Sequence, residues 1–319
     1  MLKALAITGP TASGKTALSI HLAERLGCEI ISCDSMQIYK GMDIGTAKAT
    51  AEEQARVKHY MIDIISPLES YSAESYRAEA LECAEKISAR GKIPLFVGGT
   101  GLYIDTVMRG VSCASPESDA GYREKMLSSI RCEEDKIALW QRLLSVDPES
   151  AEKTHYNNVK RVIRALEIYD KTGKPKSAFD KETKSISPDI SVGMITLDFL
   201  DRDLLYSRVD SRVDLMMNEG LLDEVKRLYS AGLLPKSATS SQAIGYKEII
   251  EAIEGRCTLS EAVEQIKLST RRYAKRQLTW FRREENACRI YADGEGGMRP
   301  FEDIVSLALS FANSFLKTN

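Results

Sequence analysis

Residues Gly9, Pro10, Thr11, Ala12, Ser13, Gly14, Lys15 and Thr16 constrain this chain more than any other stretch. They follow the pattern glycine, four residues, glycine, lysine, then serine or threonine. An apolar run, Ala4 to Thr8, precedes them. Thr16 to Leu26 follows, with Ala17, Leu18, Leu22 and Leu26 at helical spacing before Gly27. Strand, glycine-rich turn and helix together make a phosphate loop. The glycines let successive N–H groups converge on phosphate oxygens, and the helix N-terminus adds its positive end. Lys15 supplies a charge, and the Thr16 hydroxyl can ligate magnesium. The motif calls for a phosphate chain and leaves open which molecule carries it.

The flanking pattern predicts an α/β fold. Glu29 to Cys33, Met61 to Ile65 and Lys92 to Val97 read as further strands, and Ser72 to Arg90 as a helix ending at Gly91. Short apolar strands alternating with helices indicate a parallel sheet covered on both faces. From about Val111 the character changes. Ser112 to Ser118, around Pro116, reads as a linker, and the charged stretch to about Thr183 as a helical insertion without strands. Ile190 to Phe199 reads as a returning strand. Helices are expected to fill the rest, including Arg202 to Gly220 and Leu259 to Arg283.

Composition narrows the class. With 319 residues, 43% hydrophobic and 28% charged, the chain is neither disordered nor collagen-like. No stretch approaches the roughly 18 consecutive apolar residues of a membrane span, and the first residues lack a signal-peptide cleavage site. Seven cysteines without a C-x-x-C pair point to reduced thiols in the cytoplasm, not to disulfides or zinc. His21, His59 and His155 form no spaced metal pair and are read as structural. The net charge of −2 hides a local asymmetry: Lys267 to Arg283 holds seven basic residues and no acidic one. Its Arg272, Tyr273, Arg276 and Trp280 mix charge with aromatic surface, as nucleic-acid backbones require, or as a solvated amphipathic helix does. Leu268, Leu278 and Phe281 are expected to face inward.

In open parallel sheets the site lies beyond the carboxyl ends of the strands. Asp34 falls there, as a general base, a magnesium ligand or a turn aspartate. Thr100, in Gly98-Gly99-Thr100-Gly101, can bond a phosphoryl oxygen or cap a helix. Arg208 and Arg212 share a helix face. They can close over a leaving phosphate or pair with Asp210 and Asp214.

Together these motifs resemble the bacterial tRNA dimethylallyltransferases. The similarity runs through Gly9–Thr16, the long stretch Asp34-Ser35-Met36-Gln37 to Lys48, His59 to Asp63, Gly98 to Tyr103, Arg161 to Glu167, Gln242 to Glu248, and Arg276-Gln277-Leu278-Thr279-Trp280. The stretch from Asp34 is specific; a generic P-loop kinase does not carry it. Ala49 stands where proline is common, Lys160 where glutamine is, and Tyr156 where proline is. A eukaryotic-type zinc finger is absent, which implies a bacterial form.

The resemblance implies a P-loop kinase-like core, residues 1–111 and 187–319, with a helical insertion at 112–186 that contacts tRNA. It implies transfer of a dimethylallyl group from its diphosphate to the exocyclic amine of an adenosine. That adenosine adjoins the anticodon on its 3′ side, in tRNAs that read codons beginning with U. Gly9, Pro10, Thr11, Ala12, Ser13, Gly14, Lys15, Thr16 and Arg208 are then expected to bind the diphosphate, with Mg2+ on Thr16. Asp34 orients the amine and takes its proton, Thr100 contacts the reacting centre, and Lys15 and Arg208 stabilise the leaving group. The anticodon stem-loop is expected to meet Asp34, Ser35, Met36, Gln37 and Thr100 at the centre. Further candidates for gripping it are Arg123, Lys160, Arg161 and Arg164 of the insertion, and Gln242, Gly245, Tyr246 and Lys247. Arg271, Arg272, Lys275 and Arg276 of the basic helix complete the surface. A cytoplasmic monomer with no membrane partner is expected. The rivals are a P-loop kinase, a prenyltransferase acting on a free adenylate, and a non-catalytic RNA-binding protein.

Overall fold

The computed structural model describes residues 2–108, 119–184 and 190–318. In chain order it begins β1 (Leu2–Thr8), α1 (Lys15–Leu26), β2 (Cys28–Ser32), α2 (Ala51–Arg56), β3 (His59–Tyr60), α3 (Ala73–Ala89), β4 (Ile93–Gly98) and α4 (Gly101–Met108). Helices α5 (Ala120–Ser128), α6 (Glu133–Val146), α7 (Pro148–Glu152), α8 (Val159–Thr172) and α9 (Lys176–Lys184) follow. Then come β5 (Ile190–Asp198), α10 (Arg202–Asn218), α11 (Leu221–Ser230), α12 (Tyr246–Ile253), α13 (Leu259–Phe281), β6 (Cys288–Tyr291), the short pair β7 (Asp293–Gly294) and β8 (Gly297–Met298), and α14 (Phe301–Lys317). The chain divides into two compact units: Met1–Met108 with Asp189–Asn319, and Arg109–Pro188. The linker-like residues Ser112–Ser118 lie outside the described residues.

The first unit is an α/β structure around one six-stranded sheet, ordered β3-β2-β4-β1-β5-β6. Every pairing in it is parallel. Period-2 alternation separates two cores. Leu5, Ile7, Ile30 and Leu95 point to one face, where Leu18 and Leu22 of α1 and Ile304 and Val305 of α14 cover them. Ala4, Ala6, Ile31 and Phe96 point to the other, under Tyr76 and Ala80 of α3 and Ile104 of α4. Both faces are buried, so the strands read as continuous apolar runs. Among the described residues no helix is long and apolar enough to cross a membrane.

Two strand expectations need correction. The third strand is His59–Tyr60, not Met61 to Ile65. Met61 and Asp63 take left-handed φ values of 61° and 54°, which no strand accommodates; only Ile65 makes a bridge, to Tyr39. The C-terminal third is also not wholly helical: Cys288–Tyr291 pairs with β5 at the sheet edge. In α13, Leu278 and Phe281 are buried as expected, but Leu268 is 37% exposed. The buried stripe runs through Ala262 and Ile266, and two residues beyond Ile266 is the opposite side of a helix.

The second unit packs Leu143, Val162, Ala165 and Leu166 around Ala151. The Trp140 indole N–H donates to the carbonyls of Ala151 (3.1 Å) and Thr154 (2.7 Å). Glu167 is fully buried. It accepts from the Asp119 backbone N–H, Arg123 Nε and Arg164 Nη1.

A third core in the first unit anchors the long irregular segment between β2 and α2. Ile38, Tyr39 and Met42 pack on Val213, Leu221, Tyr246 and Ile249. Glu224 of α11 accepts the backbone N–H groups of Asp43 (3.0 Å), Ile44 (2.9 Å) and Gly45 (3.2 Å), and the Tyr246 hydroxyl (2.5 Å). The buried Lys48 ammonium donates to Asp43, Asp63 and the Tyr39 carbonyl. Two charged side chains thus replace the ladder that this segment lacks. Glu224→Ala removes the shared acceptor of three amides and a phenol. We expect it to cost about 3 kcal/mol of stability by urea unfolding; a loss below about 0.5 kcal/mol means that the apolar packing alone holds the segment.

Candidate active site

The carboxyl ends of β1, β2 and β4 lie side by side, and each carries part of the site. After β1, Gly9 and Gly14 take φ values of 139° and 94° and curl the loop. Lys15 Nζ folds back on the carbonyls of Pro10 (2.6 Å) and Gly9 (3.1 Å). Burial, and then the Arg212 guanidinium, lower the Lys15 ammonium to about 7, against an upward pull from Asp34. The Ser13 hydroxyl is buried without a hydrogen-bond partner. Ala12 stands at a left-handed φ of 62°, a conformation that costs about 1 kcal/mol for a non-glycine residue. Arg208 Nε donates to its carbonyl at 3.0 Å and holds that turn.

After β2, Asp34 Oδ1 accepts the Met36 backbone N–H at 2.9 Å. Burial pushes its carboxyl up; the Met36 amide and the Lys15 charge pull it down less strongly. After β4, Thr100 Oγ1 accepts the Ser35 N–H at 3.1 Å, and the Thr100 N–H donates to the Cys33 carbonyl at 3.1 Å. This closeness requires glycine at 98, because a Cβ there would overlap the Cys33 backbone. Asp34 and Thr100, 66 positions apart, are therefore joined through Ser35, whose backbone N–H bonds the Thr100 hydroxyl.

A cavity of about 1390 Å³ opens in front of these ends. Its walls include Thr11 to Thr16, Asp34 to Gln37, Asp43 to Lys48, Arg212, Gln242 to Gly245, Tyr273, Arg276 and Gln277. Such a volume holds more than a phosphate chain. Of the arginine pair on α10, Arg208 supports the loop from its Ala12 carbonyl, while Arg212 lines the cavity. Arg212 Nε is buried without a partner, and burial lowers its pKa. Neither acidic neighbour pairs with these arginines: Asp210 bonds Arg271 (2.9 Å) and Asp214 bonds Lys267 (2.7 Å).

The remaining candidates separate by exposure. Arg272, Lys275 and Arg276 of α13 are exposed, and Arg276 stacks on the Tyr273 ring at 5.6 Å. Gln242 is exposed, with its amide on the Lys236 carbonyl, and Lys247 lies 3.5 Å from Glu248. Tyr246 and Gly245 are buried. Tyr246 spends its hydroxyl on Glu224, so it supports the segment below the cavity and offers no surface to RNA. Within the second unit, Lys160 and Arg161 are exposed at the start of α8, whereas Arg123 and Arg164 bond the buried Glu167. His21 and His59 bond the carbonyls of Ala17 and Val57, and His155 packs on Tyr156; His59 also lines the cavity. Sequence reading missed Glu224 and the placement of Gln277, for which spacing offers no signal. It named Arg212 only as half of a pair.

A phosphate loop, a neighbouring carboxylate and a basic helix around one deep cavity define a P-loop group-transfer enzyme with a polyanionic second substrate. The comparisons agree. The family model described as IPP transferase matches residues 37–284. The chain is 50% identical over 281 residues to the tRNA dimethylallyltransferase of Bacillus cereus (strain AH187), covering 88% of this chain and 87% of that protein. It is 49% identical to the Bacillus anthracis protein of the same name, with 88% of each covered. The crystal structure of the full-length tRNA isopentenylpyrophosphate transferase of Bacillus halodurans aligns at TM-score 0.73 and 41% identity, over 99% of this chain and 97% of that one. A eukaryotic dimethylallyltransferase acting on tRNA aligns at TM-score 0.80 and 29% identity, over 98% of this chain and 80% of that one. The chain belongs to the IPP transferase family.

Two tests follow for the anion end of the cavity. At pH 8 a Lys15 amine with a pKa of about 7 is mostly neutral, and a bound anion restores its charge. Pyrophosphate binding should then take up about one proton more in wild type than in Lys15→Met. Calorimetry in buffers of different ionisation enthalpy reads this; equal uptake means that Lys15 does not titrate on binding. Arg212→Met should weaken magnesium pyrophosphate binding about tenfold or more. Unchanged affinity would place the anion away from Arg212.

Proposed function

We propose that this protein is a tRNA dimethylallyltransferase. It transfers the dimethylallyl group of dimethylallyl diphosphate to the exocyclic amine of the adenosine 3′-adjacent to the anticodon, in tRNAs that read codons beginning with U. One observation carries the chemistry: Asp34 shares a cavity with the phosphate loop and with the unpartnered Arg212 Nε. A kinase places its base in the same way, but its acceptor does not need the exposed basic face of α13.

The donor diphosphate occupies the loop, held by its backbone N–H groups, Lys15 and Arg212, while Arg208 stabilises the loop from behind. As the allylic carbon–oxygen bond breaks, charge develops on the departing diphosphate, and these cations stabilise it. The adenine amine is a poor nucleophile, because its lone pair is delocalised into the ring. Its proton is too weakly acidic for a carboxylate to remove beforehand. Asp34 orients the amine and accepts the proton as the carbon–nitrogen bond forms and the nitrogen becomes cationic. The burial that raises the Asp34 pKa makes it a better acceptor at that moment. Thr100 fixes Ser35 and with it the Asp34 turn. The adenosine leaves its stack to enter the cavity, and Arg272, Lys275 and Arg276 meet the phosphate backbone around it. Lys160 and Arg161, exposed at the start of α8 in the second unit, offer further cations to a tRNA backbone.

Among the described residues no cluster of three or more His, Cys, Asp or Glu is set to hold a metal. Magnesium does not need one, since it takes one or two protein oxygens and fills its shell from phosphate and water. Thr16 lines the cavity beside the loop and would supply a hard oxygen, and the ion would neutralise diphosphate charge there. We take the enzyme to act in the cytoplasm as a monomer.

The direct assay offers labelled dimethylallyl diphosphate and magnesium with unmodified tRNA, with AMP, and with ATP in place of the donor. Label in tRNA alone supports the reading; ATP consumption or AMP prenylation overturns it. Asp34→Ala should lower kcat by about 10³-fold and leave the tRNA dissociation constant unchanged. Equal loss of binding removes Asp34 from the role of base. Arg272→Glu should weaken tRNA binding, flatten its salt dependence by about one contact, and spare pyrophosphate binding. Unchanged tRNA affinity would make α13 an ordinary solvated helix.

A further inference from the structure

Within Arg276-Gln277-Leu278-Thr279-Trp280, positive charge accounts for Arg276 and packing for Leu278. Neither accounts for Gln277, which is 5% exposed. Both ends of its amide are engaged. Oε1 accepts the Thr11 backbone N–H of the phosphate loop at 2.8 Å, and Nε2 donates to the Gly99 carbonyl at 2.9 Å. Position 99 is glycine for a local reason: a Cβ there would overlap the Gln277 amide. On the same helix, Arg271 and Lys267 pair with Asp210 and Asp214 of α10, the helix that carries Arg208 and Arg212.

We propose that Gln277 is a positioning residue for the transfer, one amide that locks the Thr11 end of the phosphate loop to the Gly99–Thr100 turn so that the diphosphate cradle and the Asp34 group keep a fixed spacing. Thr11 N–H donates to Gln277, so it is not a phosphate ligand, and its direction sets the plane of the peptide that opens the loop. Thr100 follows Gly99 directly and holds Ser35. A shift of the Gly99 carbonyl therefore reaches Asp34 through the Thr100–Ser35 hydrogen bond. A carboxylate at 277 cannot replace the amide, because it would turn a second acceptor toward the Gly99 carbonyl. An apolar side chain would leave the part-buried Thr11 N–H and the buried Gly99 carbonyl unpaired. The effect on transfer rests on the proposed function; the effect on the loop does not.

Two variants test this. Gln277→Met keeps the length and removes both hydrogen bonds. Gln277→Glu keeps the acceptor and regains the donor only when its new carboxyl is protonated. With magnesium pyrophosphate as probe, Gln277→Met should bind about tenfold more weakly than wild type at every pH. It should lose at least as much in kcat and leave the tRNA dissociation constant unchanged. Gln277→Glu should be as weak at pH 8 but approach wild type as the pH falls toward 5.5. Lys15, Asp34 and Tyr273 line the same cavity and Tyr273 bonds Gln277, so the pH course of Gln277→Glu is read against Gln277→Met, which adds no carboxyl, as well as against wild type. Wild-type pyrophosphate affinity and kcat in Gln277→Met, or a Gln277→Glu ratio that does not change with pH, overturns the proposal. If Gln277→Met fails to fold, the pH course of Gln277→Glu decides alone. If wild-type protein binds pyrophosphate but never labels tRNA, the proposed function falls while the pyrophosphate ratios still decide Gln277.

Discussion

The site depends on one geometric constraint: three parallel strands end together. β1 lies between β4 and β5, and β4 between β2 and β1. The register pairs Thr8 with Gly98 and Ser32 with Val97, so the loops after all three strands leave the sheet at one level. Parallel strands aim their carboxyl ends the same way, and the crevice beyond them is where an open α/β sheet binds ligands. The phosphate loop, Asp34 and Thr100 meet because of that edge. They do not meet through any contact predictable from their separation in sequence.

Three buried charges among the described residues are fully answered. Glu224 takes four donors, Glu167 takes three, and Lys48 meets two carboxylates and a carbonyl. Each stabilises backbone that no sheet or helix pairs, and a lost partner costs more than the pair contributes. The contrast lies in the cavity. There Arg212 Nε and the Ser13 hydroxyl are left without partners, and Lys15 is held far below the ordinary lysine range. An unpartnered guanidinium nitrogen and a perturbed lysine beside a phosphate loop are the electrostatic form of a site built for an anion.

Helix α13 serves two surfaces because a helix has two sides. Its exposed side carries Arg272, Lys275 and Arg276; its buried side carries Ala274, Gln277, Leu278 and Phe281. The first suits a polyanion, and the second seats the helix on the sheet and the phosphate loop. Adjacent residues, exposed Arg276 and buried Gln277, meet different surroundings without any change in backbone.

Much of this was legible in the sequence, and the reason is local. The phosphate loop, the helix after it, the flanking strands and the basic stripe are written in near-neighbour patterns: glycine placement, period-2 and period-3.6 alternation, and clustered charge. The family was legible too, because its long motif from Asp34 is a contiguous string. Partners brought from afar were not legible. Spacing does not reveal that Glu224 would hold residues 43–45, that Gln277 would reach Thr11, or that Arg212 would face the cavity while Arg208 turns to Ala12. The third strand was misplaced because an apolar run says nothing of two left-handed residues inside it, and β6 was missed because a four-residue edge strand has too little pattern to register. The sequence by itself determined the chemistry of an anion site and the class of fold around it. Only the tertiary structure decided which side chains face the cavity and which support them, because that depends on strand order and helix rotation, set by the packing of the whole core.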